Sequence, residues 1–398
     1  MYLLFIFSLL LMGYLLGSVS PSYILGKLLK KIDIRLYETK NAGTVNSYKV
    51  LGLAPAVITA TFDLAKGLTS MYLAHLAGAG PTLTHMVGFA AIFGHIFPFY
   101  LKFKGGQGVA TATAILIYYL IIFYKNSWLP LDSFLFLTLC VASFIYISKK
   151  GEVVGVVTLP VLTAFILVFS APLSSKLYII SIIAFILFIN LVNIRAHNLL
   201  RSTTKKMKKE INWRLYLRPL AILLVINYLH RDKKDTLVLI GVITLLFLVL
   251  DLIRLLSKKI NLFFFNKVKA IYKSKEYKKF SSITLFLFAI FLTILLFDQN
   301  IAVLSVSYLI FGDFFSKFFG LHYGRHQFFE KTLEGSLGHF TACLLSGYIF
   351  LQFISIPIYI YLTGALVASF IELLPLRIND NFSVALLSAS SMYVFQLF

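Results

Sequence analysis

Long apolar runs constrain this chain more than any other feature of its sequence. Runs of about 20 apolar residues, the length that crosses a bilayer, recur from one end to the other. Hydrophobic residues make up 59% of the chain and charged residues 13%, which is more apolar surface than a soluble core can bury. A segment in lipid must satisfy its own backbone polar groups, so we expect helices and no strands. The sequence predicts an all-α, polytopic integral membrane protein with about 14 transmembrane helices in two bundles.

One strongly basic stretch, RSTTKKMKKEINWR at 201–214, separates the apolar runs into two sets. We therefore predict a first membrane domain at 1–203 and a second at 215–398, each with about seven helices. Residues 204–214 form a basic cytoplasmic linker in this interpretation. No internal repeat relates the two halves of the sequence.

The chain carries a net charge of +21, from 37 Lys and Arg residues and 16 Asp and Glu residues. In a membrane protein such charge gathers in cytoplasmic loops and meets anionic headgroups, so we expect no nucleic-acid partner. The same charge suits phosphorylated substrates.

The first basic residue, Lys27, follows the first apolar run. We expect an uncleaved first span, an N-terminus outside, and sites facing the cytoplasm of a prokaryotic cell membrane. The basic loop HRDKKD at 230–235 opposes this orientation. Cys140 and Cys343 form neither a disulfide framework nor a zinc pattern.

Polar residues gather at the ends of apolar runs in the first half. They are Asp63 and Lys66 in FDLAKG, His95 in GHIFPFYL, and the stretch KFKGGQGVAT at 102–111. Ionisable residues at membrane depth are candidates for function. The alternatives are a structural i,i+3 ion pair, an interfacial histidine, and a tight turn that needs glycine at positive φ.

The stretch at 102–111 also has the composition of a phosphate site. Glycine amides at the start of a helix bind phosphate oxygens, and Lys102 and Lys104 add positive charge. Neither nucleotide-binding fingerprint is present in the sequence. We therefore expect an anionic lipid precursor rather than a nucleotide at this loop.

These motifs, in this order, resemble the acyl-phosphate-dependent glycerol-3-phosphate acyltransferases of the PlsY type over residues 1–201. The matching residues are Gly17-Ser18, Asp33-x-Arg35, Asn41-x-Gly43-x-x-Asn46, Asp63-x-x-Lys66-Gly67, Gly94-His95-x-Phe97-Pro98 and Phe103-Lys104-Gly105-Gly106-x-Gly108-Val109-Ala110-Thr111. The resemblance implies catalytic roles for Ser18, Asn41, Asn46, Lys66 and His95. It implies substrate binding by Arg35, Lys40, Gly43, Asp63, Lys102, Lys104, Gly105, Gly106, Gln107, Gly108, Thr111, Asn198 and Arg201.

The reaction implied by the resemblance transfers an acyl group from acyl phosphate to the 1-hydroxyl of glycerol 3-phosphate. Its product is lysophosphatidic acid, and the family uses no metal or other cofactor. Substrate phosphate groups are thought to help activate the hydroxyl. Basic side chains and backbone N–H groups suit this chemistry, because they can hold two phosphates and stabilise a developing oxyanion. Membrane lipids complete the expected partners.

The chain departs from the family pattern at several positions. Glu38-Thr39-Lys40 replaces Gly-Ser-Gly, Thr44-Val45 replaces Ala-Thr, Gln107 replaces the lysine of Gly-Gly-Lys-Gly, and Ile194-Arg195 replaces Arg-His. Lys40 and Arg195 are candidates to restore the positive charge lost at these positions. The alternative is that the acyltransferase half of the chain has diverged catalytically. His230 and Asp235 also fit the H-x₄-D pattern of acyl-CoA-dependent enzymes, but they lack a companion motif and we attribute them to chance.

The second half has its own polar stretch, GDFFSKFFGLHYGRHQFFEKTLEGSLGHF at 312–340, followed by Glu372 and Asp380. Carboxylates beside basic residues and a Thr/Ser-Gly turn suit a metal–triphosphate, since Mg²⁺ prefers a few carboxylates completed by water and phosphate. Helix N-termini and lysine take phosphate oxygens. The alternative is a charged interface between spans.

Residues 236–398 resemble the CTP-dependent polyprenol, phytol and diacylglycerol kinase group, which is related to the phosphatidate cytidylyltransferases. The resemblance rests on Gly312-Asp313, Gly320, Gly324-Arg325, Lys331-Thr332-x-Glu334-Gly335-Ser336, Glu372 and Asp380-Asn381. It implies CTP and Mg²⁺, the metal at Asp313 and Asp380, catalytic roles for Asp313 and Lys331, and substrate binding by Arg325, Thr332, Glu334, Gly335 and Ser336. The usual small residue after Gly-Asp is replaced by Phe314-Phe315. Cytidylyl transfer to phosphatidate is the alternative chemistry. A lipid transporter is disfavoured because the polar motifs gather at one face rather than at the midplane.

Overall fold

The computed structural model of this chain describes residues 2–199, 218–257, 259–262, 277, 279–329, 331–375 and 379–397. Its packing divides the chain into two compact units, Met1–Leu135 with Gly155–His197, and Phe136–Val154 with Asn198–Phe398. Part of the sequence assigned above to the first domain therefore packs within the second unit. The linker predicted at 204–214 lies outside the described residues, and the domain boundary there stays a prediction.

The helices of the first half follow the apolar runs. Helices α1 to α9 span Tyr2–Ser18, Pro21–Lys30, Thr44–Leu51, Leu53–Leu76, Pro81–Ile96, Val109–Lys125, Leu131–Ser148, Gly151–Val168 and Leu173–Ala196. Short 3-10 turns at Ile34–Leu36 and Phe99–Leu101 lie in the two polar loops. The first apolar run, expected as one span, is broken between Ser18 and Pro21.

Small residues bring α1 and α5 into backbone contact. A Cβ atom at Gly17 would lie 2.0 Å from the Ala91 carbonyl oxygen, and one at Gly94 would lie 2.1 Å from the Tyr14 carbonyl oxygen. Small residues allow such approach between membrane helices, where dispersion contacts rather than the hydrophobic effect hold helices together. This crossing places the end of α1 beside the end of α5, where the polar residues of the first unit lie.

In the second half of the chain, the first described element is a 3-10 turn at Arg218–Ala221. Helices α10 to α17 span Ile222–His230, Lys233–Leu256, Ser282–Leu296, Gln299–Ser307, Asp313–Tyr323, Leu333–Phe350, Ile358–Leu373 and Asp380–Gln396. A π-helical turn at Tyr308–Gly312 joins α13 to α14, and the continuous segment Gln299–Tyr323 is 78% buried. It is the central helix of the second unit.

The expectation that the chain has no strands is wrong at one place. Gln327–Phe328 (β1) and Lys331–Thr332 (β2) pair antiparallel, Gln327 with Thr332 and Phe328 with Lys331. This hairpin lies in the polar loop after α14, where exposed strand edges carry no penalty of the kind that lipid imposes.

Six helical segments among the described residues are long and apolar enough to cross a membrane. They are Tyr2–Lys30, Pro81–Leu101, Gly151–Val168, Leu173–Ala196, Lys233–Leu256 and Gln299–Tyr323, and shorter apolar helices accompany them. Large apolar side chains such as Leu3, Phe188 and Val238 are exposed on these helices, as lipid contact requires. The chain is an all-α, polytopic integral membrane protein. The expected total of about 14 spans stays a prediction.

Candidate active site and a second polar cluster

The polar centre of the first unit joins three helices around Asp63. The Lys66 Nζ atom donates to Asp63 Oδ1 at 2.8 Å within α4, and His95 Nδ1 at the end of α5 lies 3.4 Å from the same oxygen. Thr111 in the first turn of α6 donates to the Asp63 carbonyl at 2.8 Å. All four side chains are buried. Buried charges persist when they are paired and hydrogen-bonded. The i,i+3 ion pair expected as an alternative is therefore present, and it belongs to a larger cluster.

This centre also holds the break between α1 and α2. Lys66 Nζ donates to the Val19 carbonyl at 3.2 Å. The Tyr100 hydroxyl donates to the Ser18 carbonyl and accepts from the Ser20 amide, both at 3.0 Å. Backbone groups freed at membrane depth must find such partners. The Ser18 hydroxyl itself donates back to the Tyr14 carbonyl at 2.8 Å.

The glycine loop, residues 102–108, is folded against His95. The Gly105 and Gly106 amides donate to the Ile96 and His95 carbonyls at 2.9 and 3.0 Å. A Cβ atom at Gly106 would lie 2.0 Å from His95 Nε2, so only glycine fits there. Gly108 has φ +75° and caps α6, which agrees with the tight-turn alternative at that one position.

A second loop, residues 33–46, is tied to the glycine loop by Arg35. The Arg35 guanidinium forms a two-point ion pair with Asp33, at 2.9 and 2.7 Å, and donates to the Leu101 and Lys104 carbonyls at 2.8 Å. The hydrogen bond from Arg35 lowers the pKa of the Asp33 carboxyl, and Asp33 raises the pKa of Arg35. The guanidinium also lies 5.1 Å from the Tyr23 ring centroid. Arg35 is predicted to bind substrate, but each of its three guanidinium nitrogens already donates to an oxygen of the protein.

Asn46 organises the same loop. Its side-chain amide donates to the Ile34 and Asn41 carbonyls at 2.8 Å and accepts from the Thr39 amide at 3.0 Å. Gly43 caps α3 in an extended conformation, and the Ala42 carbonyl lies 2.8 Å from the position of a Cβ atom at Gly106. The two loops therefore meet at the glycine run.

Three lysines predicted to bind substrate point away from these internal contacts. Lys40, Lys102 and Lys104 are exposed, and among the described residues none of their side chains forms a hydrogen bond or an ion pair. Lys40 and Lys102 have φ of 53° and 56°, so both lie at tight turns. Exposed, unpaired ammonium groups beside the amide-rich start of α6 form an anion-attracting surface.

Gln107 makes a contact that the sequence did not predict. Its Nε2 atom donates to Asn193 Oδ1 at 2.9 Å, and Asn193 Nδ2 donates back to Gln107 Oε1 at 3.0 Å. Asn193 lies on α9 and is 9% exposed. Asn198 is exposed and falls in the second unit, and Arg201 lies outside the described residues.

The comparison with known proteins is clear for this half of the chain. The profile of the family described as "Glycerol-3-phosphate acyltransferase" matches residues 7–205. The chain belongs to the glycerol-3-phosphate acyltransferase family. The "Glycerol-3-phosphate acyltransferase" of Streptococcus thermophilus (strain ATCC BAA-491 / LMD-9) is 33% identical over 193 residues, which are 48% of this chain and 89% of that protein.

Other relatives agree in name and match shorter stretches. The "Glycerol-3-phosphate acyltransferase" of Shouchella clausii (strain KSM-K16) is 48% identical over 107 residues, which are 26% of this chain. The chain spans about half the length of that relative and of "Glycerol-3-phosphate acyltransferase 2" from Dehalococcoides mccartyi (strain CBDB1), 52% of each. The crystal structure of PlsY (YgiH), described as an integral membrane glycerol 3-phosphate acyltransferase in its glycerol 3-phosphate form, is 26% identical. It covers 48% of this chain and 92% of its own, with a TM-score of 0.39.

Beyond the acyltransferase-family region, the second unit holds a polar cluster centred on Lys331. The Lys331 Nζ atom lies 3.0 Å from Glu372 Oε1 and 3.1 Å from Asp380 Oδ2, and it contacts the Glu372 carbonyl. Ser316 and Ser336 donate to the two Glu372 carboxylate oxygens at 2.8 and 3.4 Å. Lysine from the hairpin thus joins the end of α16 to the start of α17.

Asp313 begins α14 directly after the π-helical turn. Its carboxylate pairs with Lys317 at 2.5 Å and with Arg218. Arg218, which the sequence did not predict as a site residue, lies in the 3-10 turn before α10. Wider π-helical turns often occur at functional sites, and this one sets Asp313 at the start of a helix.

The hairpin residues predicted to bind substrate have internal partners. Thr332 Oγ1 accepts from the Gly335 amide at 3.2 Å as the N-cap of α15. Glu334 is buried and accepts from the Arg325 amide at 3.0 Å and from His326 Nδ1 at 2.7 Å. These contacts fold the loop that presents Lys331.

His339 is a further buried polar residue that the sequence did not single out. Its Nδ1 atom lies 3.0 Å from Ser369 Oγ, while its Nε2 atom has no hydrogen-bond partner among the described residues. A Cβ atom at Gly312 would lie 2.4 Å from that Nε2 atom. The Gly-Asp pair at 312–313 therefore has a steric reason for its glycine in this chain.

Asp251 and Arg254, which precede this cluster in the sequence, form a structural clasp. Both are 0% exposed and pair at 3.0 Å. Asp251 Oδ2 accepts from the Ser281 amide and from Thr284 Oγ1 at 2.7 Å, and Arg254 donates to the Lys279 carbonyl at 2.6 Å. The clasp fixes α11 to the start of α12.

Proposed function

We propose that the first unit transfers an acyl group from acyl phosphate to the 1-hydroxyl of glycerol 3-phosphate, giving lysophosphatidic acid. The observation that carries this proposal is the pair of exposed lysines, Lys102 and Lys104, on a glycine loop packed against the buried Asp63–Lys66–His95 centre. Membership of the glycerol-3-phosphate acyltransferase family supports the same reaction.

The proposed step forms a bond between the glycerol oxygen and the acyl carbon and breaks the bond between that carbon and the phosphate oxygen. The hydroxyl proton leaves with the departing inorganic phosphate. Lys102, Lys104 and the first amides of α6 meet phosphate oxygens, because charge and free N–H groups coincide there. Holding donor and acceptor side by side can lower the barrier by up to about 7–11 kcal/mol in ideal cases.

The buried residues have a supporting role in this proposal. The ion pair of Asp63 and Lys66 holds the backbone between α1 and α2 and the His95 ring in place. The glycine loop packs directly on that ring. We place this site at the cytoplasmic face of a prokaryotic cell membrane, because the lysine-rich loops 26–52 and 101–108 then lie inside.

The direct test uses the purified full chain in lipid nanodiscs with acyl phosphate and labelled glycerol 3-phosphate. Labelled lysophosphatidate is the expected product, and Lys102→Ala with Lys104→Ala should reduce its formation. Lys125→Ala is the matched control, because Lys125 is an exposed lysine at the other end of α6. A folded preparation that forms no labelled product from acyl phosphate refutes the proposal. Product from acyl-CoA alone would point instead to a different donor.

We propose a second function for the second unit, the CTP-dependent phosphorylation of a lipid alcohol. The cluster of Lys331 with Glu372 and Asp380 favours it. These carboxylates and Asp313 offer the hard oxygen ligands that Mg²⁺ prefers, and a nucleotide-bound ion needs only one or two of them from the protein. Asp313 and Asp380 would hold the ion, which supplies charge neutralisation for the phosphates. Lys331 and Lys317 would orient phosphate oxygens.

Two labels on CTP distinguish kinase from cytidylyltransferase chemistry. Label from the γ-phosphate in lipid supports the kinase, and label from the α-phosphate supports cytidylyl transfer to phosphatidate. Asp380→Asn should abolish the transfer, whereas Asp232→Asn, at an exposed carboxylate that makes no capping hydrogen bond, should not. Neither label entering lipid refutes both chemistries.

A further inference from the structure

The reciprocal amide pair of Gln107 and Asn193 is the contact that links the glycine loop to α9. The two residues are separated by 86 positions in the sequence, and each side chain both donates and accepts. An amide pair of this kind has a defined geometry, because exchanging donor and acceptor on one side alone puts two like atoms together. The loop is therefore held at one distance and one orientation from α9.

The other hydrogen bonds of the loop do not reach α9. Gly105 and Gly106 bond back to α5, and Arg35 bonds to the Leu101 and Lys104 carbonyls. These contacts hold the loop to α5 and to the facing loop at 33–46. Between Gly106 and the first turn of α6, the side-chain hydrogen bonds in the described part of the chain are those of Gln107 to Asn193.

The pair is shielded, so breaking it has a cost beyond the lost bond. Asn193 is 9% exposed and Gln107 is half-buried. A buried amide left without a partner costs more than an exposed one, because water does not replace the bond. One turn earlier on α9, Asn190 faces Gly155 rather than the loop, so the contact is specific to Asn193.

We infer that Asn193 is a positioning residue for the phosphate substrate of the first unit, acting through Gln107 on the glycine loop. The inference rests on the proposed acyltransferase function. Gln107 supplies no charge to the loop, so the loop's attraction for phosphate comes from Lys102 and Lys104, and the amide pair sets where those charges and the α6 amides lie.

The test compares four full-length proteins in nanodiscs. Asn193→Leu removes both hydrogen bonds and keeps the number and branching of the side-chain heavy atoms. The exchanged pair, Gln107→Asn with Asn193→Gln in one chain, rebuilds the amide pair with its lengths reversed. Asn190→Leu is the matched control, a buried asparagine on the same helix that does not touch the loop.

We expect Asn193→Leu to raise the apparent KM for glycerol 3-phosphate or for acyl phosphate about 10-fold, since one or two net hydrogen bonds correspond to about a tenfold change. The exchanged pair should recover most of that loss, and Asn190→Leu should leave both KM values unchanged. An active Asn193→Leu protein with wild-type kinetics overturns the inference.

Trypsin cleavage separates this inference from the proposed function. Freed from α9, the loop should be cut at Lys102 and Lys104 about 10-fold faster in Asn193→Leu, while cleavage at Lys40 stays constant. If Asn193→Leu is cleaved faster than wild type and the wild-type protein forms no product, the tether is supported and the acyltransferase proposal is refuted. Unchanged cleavage refutes the tether whatever the activity.

Discussion

Gly106→Ala tests most directly how the candidate site is built. The added Cβ atom would lie 2.0 Å from His95 Nε2, 2.6 Å from His95 Cδ2 and 2.8 Å from the Ala42 carbonyl oxygen. The backbone at Gly106 is outside the left-handed region, so alanine introduces no φ strain there. The substitution therefore tests whether the site needs a residue without a side chain where the loop packs against His95 and Ala42.

The His95 ring has little room to yield. Its Nδ1 atom lies 3.4 Å from Asp63 Oδ1 and 3.4 Å from Thr111 Oγ1, and the residue is 6% exposed. Overpacking a close-packed site costs about 1–3 kcal/mol, and we expect the upper half of that range because backbone as well as side-chain atoms are in contact. Displacing groups of a catalytic site by about 1 Å can cost 10²-fold in rate. We expect an acyltransferase loss of that order.

Gly80→Ala is the matched control, at the start of the helix that carries His95. A Cβ atom there would meet nothing within 4 Å, and Gly80 has φ −66°, which alanine adopts freely. Thermal unfolding in detergent and labelled-product formation should separate the two variants. If Gly106→Ala unfolds and reacts like Gly80→Ala, the packing of His95 against the glycine loop does not control the site.

Three further predictions concern polar contacts within a unit, two in the first unit and one in the second. Asp33→Asn should lower the melting temperature at neutral pH. Because the hydrogen bond from Arg35 lowers the pKa of the Asp33 carboxyl, this carboxylate stabilises the fold above the unfolded-state pKa of about 3.9. That stabilisation is lost as pH falls through the folded-state pKa, so the two melting curves should converge in acid. Tyr100→Phe removes the hydroxyl that bridges the break after α1 and should cost about 1–3 kcal/mol of unfolding free energy; an unchanged melting temperature would contradict this. Asp251→Asn leaves Arg254 buried without its counter-charge and should cost about 3–5 kcal/mol, part of which Arg254→Leu in the same chain should recover.

The helices could be predicted because hydropathy marks apolar spans, and Asp63, Lys66 and His95 could be singled out because ionisable residues are rare inside such spans. The expectation that Asp63 and Lys66 lie at the end of a span is wrong, because both lie in the middle of α4. The contact of Gln107 with Asn193 could not be predicted. In a membrane protein the lipid-facing and core-facing sides of a helix are both apolar, so periodicity does not reveal which side of α9 faces the loop. Neutral amides also give no charge signal, and nothing in the sequence links positions 86 residues apart.

The roles of polar side chains were harder to predict than their locations. Asn46 is a candidate for catalysis and Arg35 and Glu334 are candidates for substrate binding by resemblance, and the structure places each against backbone groups of the surrounding loops. Such motif residues satisfy buried backbone groups, a need that any irregular loop near a membrane has. A motif residue and its contact partner must both be known before binding can be separated from loop architecture.

The lysines of the two units differ in a way that bears on their chemistry. Lys102 and Lys104 are exposed and, in the described part of the chain, form no side-chain ion pair, so an anionic substrate meets uncompensated positive charge. Lys331 is already paired with Glu372 and Asp380, so a triphosphate arriving there meets carboxylates as well as an ammonium group. Like charges a few ångströms apart repel strongly away from bulk water, and a divalent cation between phosphate and carboxylate offsets that repulsion. The proposed nucleotide reaction should therefore stop when a chelator removes divalent cations, while acyl transfer by the same preparation continues. Acyl transfer that stops together with nucleotide transfer would show that the free lysines alone do not hold the phosphates of the first unit.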